Sequence, residues 1–148
     1  MITDNNEVKN YNRYQFCEMV SDFYDVLLWE DPNDIFFWVE RMETKHKLTL
    51  ASHLKTLGLS PQERTIFYLI CHDFKSKDSR ITALSDRLGS VYCNEKERLE
   101  VVESFLFSEH PLIVRGLVEI LENQGNITAI LTEKGQRLFL EEDYDENQ

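Results

Sequence analysis

A mainly α chain with one small β-hairpin, an α+β fold, is what this sequence predicts. Three observations predict it. Apolar residues recur three and four positions apart through most of the first half, as one buried helix face requires. Ser60-Pro61-Gln62-Glu63 is a complete helix-start signal, with a capping serine, a proline at the first helical position and a glutamate that can reach back. Two β-prone strings, Gly116–Leu121 and Ile127–Leu131, flank the turn-forming Glu122-Asn-Gln-Gly-Asn126.

The elements follow in order. Polar residues dominate up to Asn12, so the first ten are expected to fray. Phe16, Met19, Val20, Phe23 and Val26 or Leu27 then share a helix face, and Pro32 ends that helix. Asp31-Pro-Asn-Asp34 reads as a turn and cap for a second helix. On it Ile35, Trp38, Val39 and Met42 point one way, with Glu and Arg opposite. Leu48, Leu50, Leu54 and Leu57 make a third short helix that Gly58 stops. After the Ser60 start, Ile66, Phe67, Leu69, Ile70 and Phe74 leave no consistently polar side, which predicts a largely buried helix.

Residues 76–80 read as a loop. Ile81 stands alone as a candidate third strand beside the hairpin, and Thr82 as the cap of a short helix closed by Gly89. A further helix is expected from Glu95 to about Phe107, with Leu99, Val102, Phe105 and Leu106 turned inward. The hairpin follows, and Thr132 caps a last helix bearing Leu138 and Leu140. The organisation expected is a helical segment over 13–58, a compact domain over 60–140 and an acidic tail over 141–148.

Composition narrows the function. No apolar run approaches the roughly 18–20 residues that span a bilayer, and the start lacks a signal-peptide pattern, so a soluble, cytoplasmic chain without membrane contact is expected. Cys17, Cys71 and Cys93 are odd in number and widely spaced, which suits neither a disulfide framework nor a zinc pair. His46, His53, His72 and His110 have no zinc spacing either. Neither a metal nor another cofactor is expected. The net charge is −11, of which −4 falls in residues 1–60, −2 in 61–140 and −5 in the last eight.

From residue 60 the order is helix, extended residue, short helix, helix, strand, turn, strand, helix. That order resembles the winged helix-turn-helix superfamily. Leu112–Ile120 is similar to the passage from its third helix into the first wing strand, and Ile130–Phe139 to its second wing strand and closing helix. More narrowly, Leu59–His72 with Ser108–Ile113 resembles the winged-helix region ahead of the ATPase module in some bacterial AAA-type ATPases. The resemblance implies a partner that is an ATPase module, in cis or in trans. The chain has no phosphate-binding loop of its own: its glycines, at 58, 89, 116, 125 and 135, are isolated.

In DNA-binding relatives the third helix enters the major groove and the wing touches phosphates. Here that helix reads Glu95-Lys-Glu-Arg-Leu-Glu-Val-Val-Glu-Ser, where four acids outnumber Lys96 and Arg98, and the wing turn holds no base. Uncompensated carboxylates facing phosphates oppose binding, and no counterion release offsets them. Lys96 and Arg98 then simply solubilise a helix. The other use for them is nucleic-acid contact together with Arg80, Arg87 and Arg115.

Trp29 and Ile35-Phe36-Phe37-Trp38 form the densest aromatic stretch. Packed on the domain, these rings are core; exposed, they could dock a protein partner or form a homodimer. Phe36 and Phe37 are adjacent and cannot both lie on one narrow buried stripe. Cys71-His72 does not make a nucleophile–base pair, because helix neighbours point about 100° apart. No catalytic residue is expected. The leading expectation is a noncatalytic protein-interaction module, and the alternative is a DNA-binding transcriptional regulator acting as a dimer.

Overall fold

The computed structural model describes residues 13–26, 34–76, 81–83, 95–123 and 126–140. The expected frayed start, the Pro32 stop with the 31–33 part of its capping turn, the 77–80 part of the first loop, the 90–94 loop and the acidic tail lie outside them. Among the described residues four helices come first: α1 (Arg13–Val26), α2 (Asp34–Lys45), α3 (Thr49–Thr56) and α4 (Pro61–Ser76). After β1 (Ile81–Ala83) come α5 (Glu95–Leu106), α6 (Pro111–Val114), β2 (Val118–Asn123), β3 (Asn126–Leu131) and α7 (Glu133–Leu140). The chain is mostly helical with a small antiparallel sheet, in the strand order β1-β3-β2.

Local signals placed several boundaries. Gly58 adopts φ +83° just beyond α3, a conformation that glycine reaches without Cβ strain. At the start of α4 the Ser60 amide donates to Glu63 Oε1 at 2.8 Å, while the Glu63 amide donates to Ser60 Oγ at 3.2 Å. This reciprocal capping box satisfies two amides that the helix itself leaves without partners. Thr132 caps α7 as expected: its Oγ1 accepts from the Gly135 amide at 3.0 Å. The same hydroxyl donates to Gly116 O at 2.6 Å, tying the entry of β2 to the exit of β3.

β1 aligns Ile81 with Ile130, Thr82 with Ala129 and Ala83 with Thr128. The third strand expected at Ile81 is present, but Thr82 does not cap a helix. Its backbone and that of Ala83 continue the ladder instead, a pairing that sequence-local rules do not register. The remainder of the expected short helix, residues 84–89, lies outside the described residues. β2 and β3 pair from Val118↔Leu131 to Asn123↔Asn126, so the ladder runs further than the expected turn allowed. Along β3, Ile127, Ala129 and Leu131 are buried and their neighbours less so, the period of two that one covered face imposes.

One continuous apolar cluster runs from Phe16 and Val20 of α1 through Leu50, Leu54 and Ile66–Cys71 to Leu131, Leu138 and Phe139. α4 is its axis: every residue from Arg64 to Cys71 is buried. Arg13, itself buried, donates through Nη1 to the carbonyl of Leu138, joining α1 to α7.

On α2 the buried face is rotated from the expected one. Phe36, Val39 and Glu43 are buried, as is His46 just past its end, whereas Trp38 and Met42 are only half-buried. Glu43, expected on the solvent side, is drawn in by partners on α4. Arg64 donates from Nε to Glu43 Oε2 at 2.8 Å and from Nη2 to Oε1 at 2.9 Å. The Tyr68 hydroxyl donates to Oε2 at 2.5 Å.

Candidate functional site

α5 meets the core through a narrow face. Val101, Val102 and Phe105 pack inward, and Phe105 is its one fully buried residue. Leu99 and Leu106 lie about 100–120° around the helix from Phe105 at an α-helical pitch. They are 53 % and 38 % exposed, and Phe107 just beyond is 68 % exposed. This corrects the expectation that Leu99 and Leu106 face inward. The core is closed by Phe105 and α6, and being apolar does not by itself place a residue inside.

α6 was not expected as a separate element. His110 and Pro111 start it: the Leu112 amide donates to His110 Nδ1 at 3.1 Å, and proline occupies the first helical position. Ser108, at φ +60°, makes the turn between α5 and α6 in a conformation rare for a residue with a Cβ. The His110 ring stacks on Phe105 with centroids 3.9 Å apart. Between the end of α5, α6 and β2 lies an open groove of about 440 Å³, lined by Phe105, Leu106, Ser108, Ile113, Glu119, Ile120 and Glu122.

Burial pulls the His110 imidazole down to about 4 from its usual 6.5. Its neutral Nδ1 is the acceptor that starts α6, so protonation places a poorly solvated charge in the fold and removes a cap. Between pH 6.5 and 4 the unfolded chain binds a proton that the folded chain refuses. The contribution of this neutral ring is therefore full above pH 6.5 and is lost as pH falls toward 4. Urea midpoints at pH 7 and pH 5 are expected to differ more in the parent chain than in His110→Asn, which keeps an acceptor but does not titrate. Equal pH dependence in the two would refute this assignment.

The aromatic stretch is divided. Phe36 is 7 % exposed and belongs to the core, while Phe37 is 71 % exposed. Trp38 is half-buried and borders a shallow depression with Glu40, Arg41, Met42, Thr44 and Lys45. Trp29 lies outside the described residues.

The cationic candidates do not form one stripe on α5. Lys96 is exposed, and Arg98 sits half-buried with Nη2 3.9 Å from Glu95 Oε2. Arg115 is exposed in a different neighbourhood: a Cβ on Gly58 would lie 3.5 Å from its Nη2, and its carbonyl accepts from Lys134 Nζ at 2.9 Å. Arg80 and Arg87 lie outside the described residues. A corner with two cations, Lys134 and Arg137, absent from the sequence reading does appear; with His53, Leu57 and Leu138 they line a cavity of about 170 Å³. The i, i+3 pair Lys134/Arg137 was the available signal; the approach of α3 was not readable from spacing.

Cys71 is fully buried, and burial, followed by its hydrogen bond with Cys17, pushes its thiol well above the ordinary value. It is held as the thiol, the poorer nucleophile. No helix among the described residues is long and apolar enough to cross a membrane. No known family model, curated protein or solved structure matches the chain.

Proposed function

We propose that the chain is a winged helix-turn-helix module that binds another protein and performs no chemistry itself. As the sequence resemblance implies, it would serve as the regulatory N-terminal region of an AAA-type ATPase, with the ATPase module in cis or in trans. The element order from α4 to α7, and a hairpin whose return strand also pairs with β1, support the winged-helix reading.

The observation that carries the interaction role is the outward surface of α5. Leu99, Leu106 and Phe107 stand exposed there beside exposed Glu95, Glu97, Glu100 and Glu103. A groove-reading helix needs the opposite sign, because its carboxylates would meet phosphate without counterions to release. Exposed apolar side chains among acids suit a protein surface instead.

The DNA-binding alternative draws on the pair of cations at Lys134 and Arg137. A gel-shift titration with random-sequence duplex at low salt separates the two readings. The expected result is no shifted species at protein concentrations where ordinary winged-helix regulators saturate. A shift that weakens steeply as salt rises, and that is lost in Lys134→Glu/Arg137→Glu, would replace the protein-binding reading with the alternative.

A further inference from the structure

Resting on that reading, we propose that the groove between the end of α5, α6 and β2 is the docking site, and that its occupant is a basic segment of another protein carrying large apolar anchors. The groove has a floor and a rim of different chemistry. Buried Phe105 and half-buried Ile113 and Ile120 form the floor, and partly exposed Leu106 forms a wall. Exposed Glu119 and Glu122 supply its charge, and no lysine or arginine among the described residues lines it. At about 440 Å³ the groove admits a bulky aliphatic or aromatic side chain or two.

The surroundings extend the same pattern. Exposed Glu103 lies one turn before Leu106 on α5, and exposed Glu109 follows Phe107 in the α5–α6 turn. Phe107 and Leu121 add exposed apolar surface. β2 is an outer strand, paired only with β3 among the described residues. Charged residues on an outer strand can serve merely to discourage edge-to-edge pairing. That role accounts for Glu119 and Glu122, but not for an apolar floor beneath them or for the leucines and phenylalanine left in solvent around it.

Charge selects the partner. Carboxylates at the rim repel nucleic acid and anionic lipid headgroups and attract lysine and arginine. The floor rewards burial of leucine, isoleucine, phenylalanine or methionine. A segment carrying both satisfies rim and floor together. Ser108, in its left-handed conformation, and the stacked pair His110–Phe105 fix the floor before any partner arrives, which limits the ordering that binding must impose.

The test is a fluorescence-anisotropy titration at physiological salt with a short fluorescein-labelled peptide of alternating lysine and leucine. Saturable binding is expected, with none for the glutamate–leucine or lysine–serine peptides. Glu119→Lys/Glu122→Lys should weaken it at least about tenfold, and Leu106→Ser should also weaken it, as for loss of close charge pairs and an apolar contact. The charge-matched Glu18→Lys/Asp22→Lys, on exposed positions of α1, should change it less than about twofold if attraction is local rather than general.

Equal weakening by both double variants would show attraction to overall net charge and overturn the proposal. So would a lysine–serine peptide that binds as well as lysine–leucine. Sedimentation of the unmodified chain covers a remaining occupant: self-association abolished by Glu119→Lys/Glu122→Lys would make a second copy the partner and remove the separate basic segment. A silent peptide titration together with silent DNA rejects this groove and leaves the interaction reading intact. DNA binding rejects that reading whatever the peptide does.

Discussion

Glu43→Ala should destabilise the chain by about 3–5 kcal/mol, the usual consequence of leaving one member of a buried ion pair alone. The Glu43 side chain is wholly buried and that of Arg64 nearly so. Burial pulls the Arg64 guanidinium down, yet the hydrogen bonds and charge of Glu43 hold it above its ordinary value, so it remains a cation. Removing the carboxylate would strand that cation and deprive the Tyr68 hydroxyl of its acceptor. Arg64 also donates from Nη1 to Leu59 O at 2.8 Å, so it cannot swing to water without releasing the segment between α3 and α4.

The double variant Glu43→Leu/Arg64→Leu should be less destabilised than the sum of the two single variants, because no charge is then left inside. Urea unfolding of parent, single and double variants closes the cycle. A Glu43→Ala loss under about 1 kcal/mol, in the range of exposed pairs, would mean that water reaches the carboxylate.

Gly135→Ala is the second large effect, and its sign is the informative part. In an ordinary helix interior, alanine is favoured over glycine by about 1 kcal/mol. At this position a Cβ would stand 2.3 Å from Leu117 O and 3.2 Å from Leu131 Cδ2. The carbonyl cannot retreat freely, since it accepts from the Thr132 amide at 3.0 Å. Either α7 lifts from the hairpin or that hydrogen bond opens, and a net loss of about 1–3 kcal/mol is expected from the overpacking. Thermal unfolding reads it directly. An unchanged or higher midpoint would show that α7 does not approach β2 this closely.

These two positions also show where sequence reading stops. The Ser60–Glu63 box and the Thr132 cap were legible because donor and acceptor lie within four residues of each other. The hairpin was legible because alternation and turn residues are local too. Glu43 was not: its burial depends on Arg64 and Tyr68 in another helix, and on α2 alone a glutamate simply belongs with the polar residues. Gly135 offered no signal, since only the folded approach of Leu117 makes its missing side chain matter.

The groove was hidden for a related reason. Helical spacing on α5 counted Leu99 and Leu106 as core, although Phe105 and α6 already close it. The charges were read correctly, but their meeting with an apolar floor depends on how β2 lies against the end of α5. The division of Phe36 from Phe37 was partly foreseeable, because neighbours on a helix cannot both face one narrow stripe.

The bond from Arg13 to the Leu138 carbonyl bears on how the chain comes together in time. Among the described elements α1 is made well before α7, yet its buried guanidinium finds this acceptor only once α7 has been made. Until then this contact between α1 and α7 is missing, so the first and last turns of the described chain settle against each other late. The hydrophobic centre thus closes in two stages: a nascent chain lacking α7 can already seat α1 on α4, its main packing partner, and the Arg13–Leu138 bond then fastens the far end.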